Sequence, residues 1–146
     1  MSSTRNVAND TECNAPAEGT NNTIFQMAVE TLLTLNDYSK VLENLSIEAS
    51  DHLGQAEFQE RFLKLIEGIE TFTESIVQIK AALNIGICDT LIALESDLSS
   101  ILKDLLESQE KGNLDYEKNL LKTRLPANLI QWRTTGIPSI QHTRDC

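Results

Sequence analysis

Residues 58–83 read FQERFLKLIEGIETFTESIVQIKAAL, and the spacing of apolar residues in this run decides the fold class. Phe58, Phe62, Leu65, Ile66, Ile69, Phe72, Ile76, Ile79 and Leu83 recur mostly in steps of three and four. That is the period of one helix face, not the period of two that a half-buried strand requires. Glu57, Glu60, Arg61, Lys64, Glu67, Glu70 and Glu74 mostly fall on the other face. A helix is expected over about residues 56–83, with Asn84 and Gly86 closing it. Gly68 sits inside the run. An internal glycine costs about 1 kcal/mol against alanine, so its place there points to a close approach by a neighbouring helix.

The pattern extends to both sides. Upstream, Phe25, Ala28, Val29, Leu32, Leu35, Tyr38, Leu42, Leu45, Ala49 and Leu53 form a stripe for a helix over about 24–52. Thr23 is its expected N-cap, Asn36-Asp37 a candidate kink or break, and Gly54 its stop. Downstream, Leu91, Leu94, Leu98, Ile101 and Leu105 alternate in steps of three and four, a coiled-coil-like seam for a helix over about 87–110 that Lys111-Gly112-Asn113 ends. A fourth helix is expected from Leu114 to about Leu125 or further, carrying Tyr116, Leu120, Leu121, Leu125, Leu129 and Trp132. Pro126 should kink or restart it. Four amphipathic helices on short loops predict an all-α fold, an elongated antiparallel bundle. Its two central helices would each be about 35–45 Å long at 1.5 Å per residue. Residues 1–22 are polar and aperiodic and read as a disordered tail, 23–133 as the bundle, and 134–146 as a flexible C-terminal tail.

Composition agrees and narrows the function. The chain of 146 residues is 40% hydrophobic and only 5% aromatic, with Leu and Ile dominant, a mixture suited to helix packing. Net charge is −10, split as −13 over residues 1–110 and +3 over residues 111–146. An acidic body repels phosphates and anionic lipid, so neither nucleic acid nor membrane is an expected partner. No charged-then-apolar leader follows Met1 and no run approaches 18 apolar residues, so the cytoplasm is the expected location. Three cysteines, Cys13, Cys88 and Cys146, are an odd number without framework spacing, which argues against a disulfide scaffold. Cys88 beside Ile87 reads as a small buried hydrophobe.

No catalytic set, cofactor motif or metal-ligand set emerges. Three residues before His52 stands Ala49, so the Glu-x-x-His pairs of di-iron bundles are missing, and His142 lies near the terminus. Cys88 has no placeable histidine partner, and no glycine opens a phosphate-binding loop. The carboxylates after Glu57 lie on the polar face, where a solvated helix surface is the plain reading. Tyr116, Lys118, Lys122, Arg124 and Trp132 form the candidate partner surface, because they share the charge-reversed segment. The plainer alternative packs Tyr116 and Trp132 on the bundle with the lysines reaching outward. Adjacent apolar pairs stand out: Leu32-Leu33, Val41-Leu42, Leu65-Ile66, Ile76-Val77, Ile101-Leu102 and Leu105-Leu106. Each pair widens its stripe beyond what one neighbour covers. That means either full burial or an exposed groove for a partner or second copy.

The runs GQAEF at 54–58, LIEGIE at 65–70 and DLLESQE at 104–110, then Asp115-Tyr116, Leu125-Pro126 and Trp132, resemble a group of small uncharacterised bacterial helical-bundle proteins. These share an "IIEGI" helix and a later "LLEAQE…DY…LLP…W" segment. Where that group has an acidic stretch before the proline, this chain has LKTRL at 121–125. The resemblance implies a bacterial, cytoplasmic, helical protein and carries no activity. A looser similarity to flagellar export chaperones rests on size and helix pattern. The function expected from all this is a non-enzymatic protein-interaction module, bound to a protein partner or to itself. The alternative is a bundle binding a small ligand or metal through inward polar groups such as Asn44, Thr73, Ser75 and Gln78.

Overall fold

The computed structural model describes residues 15–142, with side chains from Thr23 onward. Helix α1 spans Ala15–Asp51, α2 Phe58–Ala82 and α3 Asp89–Lys111, and a fourth, C-terminal helix occupies residues 114–141. No strand occurs among the described residues. The expected tail is therefore helical from Ala15 onward, and Thr23 lies within α1 rather than capping it. Pro16 sits in the first turn, where its missing N–H costs nothing and its fixed φ suits a helix. Residues 1–14 of that expected tail lie outside the described residues. Asn36-Asp37 neither kinks nor breaks α1, which is continuous.

The central stripe behaves as the period dictates. Phe62, Leu65, Ile69, Phe72, Ile76 and Ile79 of α2 are buried against Leu32, Leu35, Leu42 and Ala49 of α1 and Leu91, Leu98, Ile101 and Leu105 of α3 in one core. Gly68 does mark a close approach: a Cβ there would stand 2.6 Å from Leu42 Cδ2 and 2.8 Å from Tyr38 Oη. Helix α3 ends as predicted at Gly112. Its φ of 71° is left-handed, and the Asn113 N–H reaches back to Ser108 O at 2.9 Å.

The C-terminal helix departs furthest from expectation. It passes through both Pro126 and Pro138, with a wide π-type turn before each, at Leu120–Arg124 and Trp132–Gly136. A proline ring clashes with the carbonyl four residues back, and a wider turn relieves the clash without ending the helix. In the wide register the Leu125 N–H bonds Leu120 O. Leu121 O would come next, but Pro126 has no N–H to offer. The hydroxyl of Ser46 on α1 donates to that carbonyl instead. Arg133 adds a second tie to α1, donating to Ser39 Oγ at 3.2 Å and Glu43 Oε1 at 2.7 Å. Residues 134–141 are thus not a flexible tail: Ile137 and Ile140 are buried and the helix reaches Gln141.

The inward polar groups differ from those expected. Asn44 and Gln78 are exposed, Ser75 is half-buried, and the Thr73 hydroxyl donates to Ile69 O of its own helix at 2.9 Å. The buried polar side chains are Ser39, Ser46, Ser50, Ser108, Glu117 and Asn128. Four of these serve local or bridging hydrogen bonds, among them Asn128 Nδ2 donating to Asp97 Oδ2 at 2.9 Å. Glu117 is different, since its Oε2 has no hydrogen-bond partner. Burial pushes its carboxyl above the ordinary glutamate value of 4.5. The folded chain therefore holds this proton more tightly than the unfolded chain. Stability is greatest below the unfolded value, falls as pH rises toward the raised folded value, and stays lower above it. Glu117→Gln, which removes the titration, should melt several degrees above the parent at pH 7. The gain should shrink to nothing near pH ~4, where the parent carboxyl is largely protonated in both states. Thermal melts at the two pH values test this. An unchanged difference between them would show that the carboxylate reaches water.

Cys88 is buried, as expected for a small hydrophobe, but it is disulfide-bonded, which the odd cysteine count had argued against. Cys13 and Cys146 lie outside the described residues.

Candidate functional site

The adjacent apolar pairs locate the site. In each pair on α2 and α3 the first member is core: Leu65, Ile76, Ile101 and Leu105 are all at most 1% exposed. The second members face the seam between the two helices. Val77 and Leu106 are 53% and 52% exposed, and Ile66 and Leu102 are partly buried. One step of 100° along a helix separates the two members. The second member is covered only if the next helix lies close, and here it does not. The tightest helix packing joins α1 to α2 and α1 to the C-terminal helix, while α2 and α3 stay apart at backbone level.

Side chains bridge the two ends of this open seam. Lys80 Nζ meets Glu95 Oε2 at 2.8 Å, and Gln109 Nε2 donates to Gln59 Oε1 at 2.9 Å. Between the bridges lies a groove of about 510 Å³ floored by Leu98 and Leu102 and walled by Glu70, Thr73, Glu74 and Glu95. Gln59 and Lys80 are 21 residues apart along α2, which is about 31 Å. Leu63, at 56% exposure, falls on the same stripe as Val77 in α2. The seam thus presents apolar side chains near its ends and carboxylates at its middle. Glu70 and Glu74 have no ion pair among the described residues, whereas Glu95 is neutralised by Lys80.

The charge-reversed segment holds together less well as a surface. Lys118 and Lys122 are exposed, and Tyr116 is 41% exposed with its hydroxyl donating to Asp104 Oδ2 at 3.1 Å. Arg124 is turned back onto α3, 3.5 Å from both Asp97 and Asp104. Trp132 does not belong to this surface at all. It is 1% exposed and meets Phe72 edge-on at 5.6 Å, because the wide turns rotate its position into the core. What was expected as one basic-aromatic patch is two exposed lysines beside a tyrosine.

No helix among the described residues is long and apolar enough to cross a membrane. Among the same residues no three His, Cys, Asp or Glu side chains cluster so as to hold a metal ion. Comparison with protein-family profiles, curated proteins and solved structures finds no match to this chain.

Proposed function

We propose that this chain is a non-enzymatic protein-interaction module whose contact surface is the open seam between α2 and α3. The observation that carries the reading is the exposure of Leu63, Val77 and Leu106 along one groove. Contiguous apolar side chains left uncovered, with an apolar floor beneath, are the surface pattern of a partner site. The bundle itself reads as elongated and antiparallel. Arg61 with Glu48, Lys80 with Glu95, and Arg124 with Asp97 each join positions whose numbering runs in opposite directions along neighbouring helices. Nucleic acid and anionic membrane are disfavoured partners at a net charge of −10. The Cys88 disulfide supports an oxidising compartment over the cytoplasm that the sequence pointed to.

The double variant Val77→Glu, Leu106→Glu tests the reading, since both positions are exposed and the fold tolerates charge there. Each buried aliphatic contact contributes about 1.5 kcal/mol, so the pair should weaken partner binding by roughly 100-fold. Sedimentation of the purified protein and affinity capture from its native cells, run for parent and variant together, read this out. A strictly monomeric parent that enriches nothing the variant loses would refute the proposal.

A further inference from the structure

Resting on the interaction reading above, we infer that the α2–α3 groove takes a cationic amphipathic helix from a partner protein. The argument is charge complementarity on an apolar seam. Three carboxylates of α2, Glu67, Glu70 and Glu74, fall within two turns and have no counter-charge among the described residues. They stand between the exposed aliphatic side chains Leu63 and Val77 on the same helix. The opposite wall supplies Leu102 and Leu106. An occupant that satisfies both features needs an apolar edge for the floor and ammonium or guanidinium groups for the α2 wall. On a helix these are a stripe of Leu or Ile flanked by Lys or Arg at spacings of three and four. The span between the two bridging contacts admits about five helical turns of such a segment. The excess negative charge of the whole body adds long-range attraction for a basic partner and repels an acidic one. Lys103 is the basic residue on the α3 side, one turn before Leu106. Its removal should therefore help the same partner.

The probe is a synthetic helical peptide of Leu and Lys, about 18 residues long and patterned as an amphipathic helix, set against a Leu/Glu peptide of the same pattern. Titration of the full chain by fluorescence anisotropy should show binding of the Leu/Lys peptide alone. Glu70→Lys with Glu74→Lys should weaken it at least tenfold, Lys103→Glu should strengthen it, and added salt should weaken it through screening. A control double variant of equal charge away from the groove, Glu110→Lys with Asp115→Lys, should change it by less than threefold. Equal losses in groove and control variants would overturn the inference, because general acidity would then suffice. So would binding of the Leu/Glu peptide. A dimer in sedimentation that Val77→Ser with Leu106→Ser dissolves would also overturn it, by making a second copy the occupant. A natural partner lost with Val77→Ser and Leu106→Ser but kept with Glu70→Lys and Glu74→Lys would overturn the cationic assignment while leaving the groove as the contact surface.

Discussion

Ile69→Asp abolishes the cooperative melting transition. Ile69 is fully buried at the centre of α2, with Leu65 and Phe72 also fully buried one turn to either side. The substitution removes an aliphatic side chain worth about 2–3 kcal/mol of burial and leaves a carboxylate with no counter-charge in hydrocarbon. An unpaired buried charge costs a further 3–5 kcal/mol or more. Together these approach or exceed the 5–15 kcal/mol that holds a typical domain folded. Leu63→Asp, two turns upstream on the 56% exposed rim, should change stability by less than about 0.5 kcal/mol. Circular dichroism melts of the two variants make the comparison. A normal transition for Ile69→Asp would place α2 in solution with that face toward water and would remove the packing described here.

Trp132→Ala should cost about 3–5 kcal/mol, the range for deleting a fully buried aromatic ring. The ring is 1% exposed, packs edge-on against Phe72 with planes at 80°, and sits against Gly136 so tightly that a Cβ there would be 2.5 Å from Trp132 Cε3. Little nearby can move to fill the space, because Gly136 has no side chain and Phe72 is itself buried. Tyr116→Ala should lose far less, on the order of 1 kcal/mol, since it removes one hydrogen bond to Asp104 at a solvent-exposed position. Urea titration measures both. Similar small losses for the two would mean that Trp132 lies on the surface with Tyr116, as the sequence allowed.

These two residues mark how far local reasoning reached. Ile69 could be assigned to the core from the sequence, because five apolar neighbours at helical spacing share its face. Trp132 could not, because its direction depends on two wide turns whose extra residue each rotates everything downstream. Prolines read as stops, since their clash with the preceding turn is a local fact. Relief of the clash depends on a partner, and here Ser46 on another helix accepts the role of donor to Leu121 O. Ile137 and Ile140 lay too close to Pro138 for a periodic signal, so their burial went unseen. Glu117 carried no mark at all among polar neighbours, because burial of a single carboxyl is set by what packs over it.

The order of apolar and polar residues determined by itself that the chain is helical and where α2 and α3 run, since a 3.6-residue period is a property of the backbone alone. It also named the doubled apolar positions from Leu65-Ile66 to Leu105-Leu106 without saying which members water would reach. Only the tertiary structure decided that. The distance between α2 and α3 is set by α1, by the C-terminal helix and by the volume of side chains such as Trp132 and Leu129 between them. That separation leaves Val77 and Leu106 uncovered beside Glu70 and Glu74, and with them the groove.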